Sequence, residues 1–285
     1  RFAAPTALAA RLANAGLNVV SLANNHILDQ GVEGLRDTLN ALTKVGIHPV
    51  GVVENLSSPQ IPEIVIRKGL RLGFLAYSAS HTATTTSPGA APIDMRRIAR
   101  EVSETRKLAD IVIVSLYLGY EYAPVPGLRA LSVIRRTLRH GADIVLGHHP
   151  HVPQGLVRSG GGVAVCSLGN CVTDMGNPLI KELNLKRAAS EGNPFAPRYY
   201  QLSTKGVLVE FSIEPKGKIS VRAIELFIAE DYAPRPRGEI DLNSFDRPTC
   251  GRGLKVELFY QFSRVRVEGM SRVRYILKRL MDRGT

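Results

Sequence analysis

The chain has 285 residues, 44% hydrophobic and 22% charged, which is a globular composition, and it holds no apolar run of the roughly 18–20 residues a bilayer span needs. Its formal net charge is +12, and Arg247–Thr285, with ten Lys/Arg against three Asp/Glu, carries 7 of it. That tail reads either as attraction to a polyanion or anionic membrane surface or as a solvated basic face; with aromatics at 6% and no recognition motif, nucleic acid is not an expected partner. Cys166, Cys171 and Cys250 have no paired spacing, which argues for none or one disulfide and against a cysteine zinc site, and they read as buried or incidental thiols. The chain opens at Arg1 and enters a helical pattern at once, so it reads as a fragment or processed form with any export signal upstream.

Pro5–Ala15 reads as a helix, with Leu8, Leu12 and Ala15 on one face and Gly16 as its stop. Asn18–Ala23 follows as a strand. Val32–Val45 is a second helix, with Leu35, Leu39 and Leu42 at helical spacing and Gly46 at its end, and Ile47–Val53 is a short strand. Glu63–Ile66 and Leu70–Tyr77 read as a hairpin turning at Lys68-Gly69. His81–Ala91, rich in Ser, Thr, Pro and Gly, reads as a surface loop or flap. Asp94–Leu108 is a polar helix, and Ile111–Leu116 is a nearly all-apolar strand running into Tyr117-Leu118-Gly119. Leu128–Arg139 is a helix; Asp143–Leu146 and Val163–Ser167 are strands. The helix-Gly-strand-loop unit recurs at Gly16, Gly46 and Gly141, which predicts a layered α/β fold.

The character changes after about Leu183. Glu191–Tyr200 reads as a Pro-containing connector. Gly206–Ile213 and Ile219–Ile228 alternate as an antiparallel pair turning at Pro215-Lys216-Gly217, and Ala233–Gly238 reads as a Pro/Arg linker. Leu254–Phe262 fits no single element, and Gly269–Met281 reads as a basic amphipathic helix with Val273, Ile276, Leu277 and Leu280 together.

The chemistry concentrates at strand ends, where open α/β sheets place their ligands. Asn24-Asn25-His26 with Asp29 follows the first strand. There Asn25 offers an amide oxygen to a divalent metal, His26 a proton or charge stabilisation at a phosphoryl oxygen, and Asp29 a carboxylate that orients His26. The alternative is a turn and helix cap with Asp29 solvated. Gly147-His148-His149-Pro150-His151 follows a later strand. His149 and His151 point to one side if the backbone is extended, as Pro150 favours at His149, and so form a metal pair, with a polar loop as the alternative. His148 would face the other way. His48, His81 and His140 have no sequence partners and read as structural. Asn170, in Ser167-Leu168-Gly169-Asn170 after a further strand, is a crevice residue or a turn.

Together these residues resemble the CapA/PgsA family of capsule and poly-γ-glutamate biosynthesis proteins. Val19–His26 with Asp29 and Gly31 is similar to that family's ANNH block, Gly147 to Val152 to its HPHV block, and Ser167–Asn170 to its SLGN block, over about residues 1–230. The resemblance implies a layered metallophosphatase-like fold (an α/β/β/α sandwich), with a C-terminal β-hairpin region and a basic tail. The domain would run over 1–232, and a basic extension over 233–285. It implies a crevice in which Asn25, His149 and His151 hold a divalent metal (Mn, Fe, Zn or Mg) and His26 with Asp29 serves catalysis, with Asn24, Tyr117, Glu121, His148 and Asn170 alongside. Tyr117 stands where the family carries a metal-binding His, and a neutral phenol is a poor ligand; the family's Gly-Asp pair would precede Arg1. The implied function is a role in capsule or poly-γ-glutamate synthesis. The variants are a metal-dependent phosphoesterase or amide hydrolase, and a non-catalytic polyanion-binding scaffold. The implied partners are an anionic polymer or phosphorylated substrate and a membrane-associated synthesis complex, at an extracytoplasmic cell-envelope location, with no signal or anchor in the chain itself.

Overall fold

A computed structural model of the chain describes residues 2–173, 178–214, 218–229 and 231–243. The elements in chain order are α1 (Leu8–Asn14), β1 (Val19–Ser21), α2 (Gly31–Lys44), β2 (His48–Val50), β3 (Val52–Val53), β4 (Glu63–Arg67), β5 (Leu70–Ser78), β6 (Gly89–Ala90), α3 (Met95–Leu108), β7 (Ile111–Tyr117), α4 (Leu128–Arg139), β8 (Ile144–His148), β9 (Pro153–Ser159) and β10 (Gly162–Leu168), then α5 (Pro178–Ser190), α6 (Ala196–Tyr199), a 3-10 helix (Tyr200–Thr204), β11 (Lys205–Ile213), β12 (Ile219–Ile228) and β13 (Pro234–Glu239). The fold is mixed α/β with a central sheet and a C-terminal β-hairpin region, as expected. The described backbone divides into two units: the residues up to Leu118, with Val133–Gly147 and Arg158–Ala164, form the first, and Gly119–Ser132, His148–Val157 and the described residues from Val165 onward form the second.

The first unit is built on a six-stranded sheet in the order β4-β5-β7-β8-β10-β9, to which β10 contributes Gly162–Ala164 and β9 Arg158–Ser159 within this unit. The apolar run of β7 buries Ile111, Val112, Val114 and Leu116, because a strand covered on both faces has no need of alternation. It lies parallel to β5, from Leu72 opposite Ile111 to Ser78 opposite Tyr117. The β4–β5 hairpin turns where expected, with Lys68 and Gly69 at φ 49° and 82°, the primed-turn geometry that matches strand twist. A separate two-stranded parallel sheet pairs β1 with β2.

Two expectations are corrected here. The strand expected over Ile47–Val53 breaks into β2 and β3 at Gly51, whose φ is 95° and where a Cβ would lie 2.7 Å from that of Ala23 and 2.8 Å from that of Ala76. Only glycine accepts that approach. The expected flap over His81–Ala91 is tied down: β6 pairs with β3, Ala91 N donates to Gly51 O at 2.9 Å, and Ala90 and Ala91 are fully buried. Small side chains let this segment enter the interior, and its backbone groups find strand partners there.

Helix α3 starts at an Asp94 cap, whose Oδ1 accepts from Arg97 N at 2.8 Å. Its buried Arg97 and Glu101 pair at 3.0 Å, and Glu101 also accepts from Tyr77 Oη at 2.9 Å and from Gln60 N at 3.0 Å. The Gln60 amide in turn bonds both backbone groups of Ala76, so the loop before β4 is satisfied without a strand of its own.

In the second unit β11, β12 and β13 form an antiparallel sheet, in register from Lys205 opposite Phe227 to Ile213 opposite Ile219. Val165, Val207, Ala223 and Leu242 make one core here. A second joins Tyr122, Val125 and Val152 to Ala188 of α5 and to Phe195, Ala196 and Tyr200. The linker expected over Ala233–Gly238 is instead β13, exposed at every residue and paired, among the described residues, with β12 alone. Prolines are tolerated on an edge strand because their missing N–H faces away from the ladder. The connector expected over Glu191–Tyr200 contains α6, and the structure adds α5 and β9 to the expected elements. The turn at Pro215–Gly217, Cys250, the segment Leu254–Phe262, the terminal helix over Gly269–Met281 and the basic tail lie outside the described residues. Neither Cys166 nor Cys171 forms a disulfide among the described residues.

Candidate functional site

In the first unit the chain leaves β1 through a polar turn. Asn24 Oδ1 accepts from His26 N at 2.7 Å, an Asx turn that fixes the start of the segment. Asp29, one turn on, accepts from Phe2 N at 2.6 Å and meets His26 Nδ1 at 3.0 Å. The Phe2 amide, then the His26 ring, hold the Asp29 carboxyl below its ordinary value against desolvation. The carboxylate therefore accepts from His26 Nδ1 and leaves Nε2 as the nitrogen for proton exchange. The Phe2 ring stands edge-on to His26 at 4.6 Å. His26 and Asn24 border a groove of about 860 Å³ between the N-terminal segment and α2, lined also by Leu12, Leu22 and Asp37. Asn25 Oδ1, the atom expected to bind metal, accepts the Tyr117 hydroxyl at 2.7 Å.

The second unit brings together Glu121, His149 and His151, whose candidate ligand atoms all lie within 4.8 Å of one another. The backbone expected to be extended at His149 is not: His149 and His151 have φ of 97° and 59°, in the left-handed region. Tyr122 N donates to Pro150 O at 2.7 Å, and Pro150 Cγ sits 3.3 Å from where a Cβ on Gly119 would be. These tertiary contacts outweigh the local preference before proline. The two imidazoles meet through a folded turn, with ring centres 6.2 Å apart.

Asn170 Nδ2 donates to Ser203 O at 2.8 Å, which turns Oδ1 toward His151 Nδ1 at 2.9 Å. His151 then carries its proton on Nδ1 and presents the Nε2 lone pair, the usual way a neighbouring amide or carboxylate prepares a ligating histidine. Glu121 is 13% exposed, and both its oxygens accept from Arg187 Nη2, at 3.2 and 3.0 Å. Asn193 Nδ2 holds the Glu121 carbonyl at 3.2 Å. Tyr122 is fully buried beside His151 and Tyr200, and burial first, then the charge of Glu121, pushes its phenol up. His148 ends β8, and desolvation pulls its imidazole down to about 4, so it is neutral at pH 7. Two imidazole nitrogens and a carboxylate oxygen are a donor set that fits a divalent ion, with coordination positions left over.

His26 is thus placed with Asp29, Asn25 with Tyr117, and Glu121, His149, His151 and Asn170 with one another. Sequence reasoning missed Arg187 and Asn193. Arg187 lies 66 residues from Glu121 on a helix without an apolar stripe, and no local pattern signals it.

The family model described as bacterial capsule synthesis protein PGA_cap matches residues 1–175. The PGA biosynthesis protein CapA of Bacillus subtilis (strain 168) is 35% identical over 171 residues, covering 58% of this chain and 45% of that protein. The capsule biosynthesis protein CapA of Bacillus anthracis is 35% identical over 172 residues, covering 57% and 41%. The chain therefore spans less than half the length of these curated relatives. A crystal structure of a hypothetical protein from Thermus thermophilus aligns with TM-score 0.45 at 19% identity, covering 80% of this chain and 77% of that one. Among the described residues no helix is long and apolar enough to cross a membrane.

Proposed function

We propose that this chain, which belongs to the PGA_cap family of bacterial capsule synthesis proteins, works in the cell envelope on an anionic polymer of the poly-γ-glutamate kind, around one divalent ion held by Glu121, His149 and His151. What carries this reading is the convergence of those three side chains in a chain 35% identical to relatives named for PGA and capsule biosynthesis. The mixed nitrogen and oxygen donors favour Zn, Mn or Fe over Mg, which prefers an all-oxygen shell. When bound, such an ion polarises a carbonyl or phosphoryl oxygen and acidifies a coordinated water. The chain's own residues do the rest. Glu121 supplies the negative charge, His149 and His151 the neutral donors, and Asn170 holds His151 in the ligating tautomer. His26, oriented by Asp29, is the proton donor that the family resemblance implies. Asn25 Oδ1 accepts the Tyr117 hydroxyl within the first unit, so the ion is assigned to Glu121, His149 and His151 alone.

A non-catalytic reading is favoured by the same Tyr117–Asn25 bond, since it ties up an expected ligand, and by the +12 charge, which suits retention of a polyanion. Elemental analysis of the purified chain, with and without added Mn or Zn, tests the site. About one ion per chain, lost in His151→Ala, is expected; no ion under either condition overturns it. Metal-dependent shortening of poly-γ-glutamate by the loaded protein selects the hydrolase, and salt-sensitive binding without turnover selects the scaffold.

A further inference from the structure

We propose that Arg187 is a resident counter-cation for Glu121 that an incoming divalent ion displaces, and that the displaced guanidinium then receives a carboxylate of the acidic polymer. This rests on the metal reading above and adds an order of events and a substrate-binding residue to it.

The Glu121 side chain is 13% exposed, so its carboxylate has given up most of its water and needs a positive partner. Arg187 supplies that partner, but in a provisional way. A single nitrogen, Nη2, spans both carboxylate oxygens at 3.2 and 3.0 Å, rather than two nitrogens forming the parallel fork that makes arginine–carboxylate pairs strong. Its Nε stands 3.9 Å from Glu191 one turn along α5, near enough for charge attraction but not for a hydrogen bond. The Arg187 side chain is also 45% exposed, so it can turn away from Glu121 without crossing a packed interior. Its helix is anchored independently of the pair, through Ala188 in the Tyr122–Phe195 core and through Asn184 Nδ2 on the Tyr200 hydroxyl at 3.2 Å.

A divalent ion at Glu121, His149 and His151 would take up the oxygen lone pairs that Nη2 now uses and would repel the guanidinium, both charges being positive. Glu121 is therefore the shared anion for which the two cations compete. Once released, Arg187 is a planar, permanently charged donor beside the ion, on a backbone that has not moved. Such a group matches a carboxylate in geometry as well as in charge. A polymer carrying a free carboxylate on every residue presents that partner repeatedly.

The test is calorimetric titration of the full chain with Mn²⁺ or Zn²⁺, in wild type, Arg187→Gln, Arg187→Lys and Glu121→Gln. Loss of the competing cation is expected to tighten metal binding roughly threefold to tenfold in Arg187→Gln. Arg187→Lys should fall between it and wild type, and Glu121→Gln should lose binding. A defined γ-glutamate oligomer should then bind the metal-saturated wild type about tenfold more tightly than metal-saturated Arg187→Gln, and the difference should shrink with salt. Unchanged or weaker metal binding in Arg187→Gln, with its melting temperature and circular dichroism intact, overturns the proposal and makes Arg187 a residue that merely positions Glu121. The same holds if the oligomer binds both metal-loaded proteins equally. No metal binding by wild type, Arg187→Gln or Arg187→Lys instead removes the metal site itself, and the competition with it.

Discussion

His149 and His151 show how little of a site's conformation is written locally. The His-x-His spacing and its place at a strand end are legible in the sequence, and the structure puts both imidazoles in one cluster with Glu121. The local rule before proline pointed to an extended chain, yet φ at the two histidines is 97° and 59°, held by the Tyr122–Pro150 bond. Backbone in that region costs a side-chain-bearing residue of the order of 1 kcal/mol or more. His149→Gly and His149→Ala both delete the ring, so they differ in backbone cost alone. Ordinarily the glycine variant is the weaker, because its unfolded chain has more freedom to lose. Here we expect the reverse, with His149→Gly more stable than His149→Ala by about 1 kcal/mol in urea unfolding. A glycine variant weaker than the alanine variant by the ordinary margin of about 0.4–1 kcal/mol would mean the turn stores no strain. The pairing of Tyr117 with Asn25 was equally beyond sequence: it joins residues 92 apart, and only the convergence of β1 and β7 ends reveals it.

The polar helix expected over Asp94–Leu108 is α3, Met95–Leu108, within one residue of its expected start, and the structure shows why. Asp94 heads it, Ile98, Val102 and Thr105 are buried at helical spacing, and Asp94 Oδ1 satisfies the Arg97 amide. Asp94→Ala leaves that amide without its partner and should cost about 1 kcal/mol of stability, seen as a lower urea midpoint at unchanged slope. A loss below about 0.3 kcal/mol would mean that water replaces the cap at this end. The elements that escaped notice lack such signals. α5 buries Ala188 alone among its residues, so its periodicity is weak. β13 has prolines at positions 234 and 236 and no buried residue, the pattern of a linker, and only its pairing to β12 makes it a strand. α5 is also the helix that carries Arg187, so one missing stripe concealed both the element and its functional side chain.

At the scale of the whole molecule the excess of positive charge governs the response to acid. Each carboxylate that titrates adds to a net charge already formally +12. Those held below their ordinary values add a specific loss. Asp110 is lowered to about 2, first by the hydrogen bond from the Arg71 side chain, which reaches Oδ1 at 2.7 Å, and then by the Arg71 amide. Asp29 is lowered too, chiefly by the Phe2 amide. A depressed folded-state pKa means that the unfolded chain takes up the proton first. The stability contributed by Asp110 is therefore complete above its unfolded value of 3.8 and is lost as pH falls toward about 2. Asp110→Asn abolishes that proton uptake. Between pH 4 and 2 the stability of wild type should fall more steeply than that of Asp110→Asn, the two curves converging toward pH 2. General repulsion among the positive charges acts on both proteins alike and is screened by salt, whereas the Asp110 difference loses only its charge part at this exposed pair and keeps its hydrogen-bond part, so it should shrink less at high ionic strength. Urea midpoints of the two proteins at pH 5, 3 and 2, in low and high salt, separate the effects. Parallel curves at both ionic strengths would show that the Arg71–Asp110 pair contributes nothing to acid sensitivity and that net charge alone drives it.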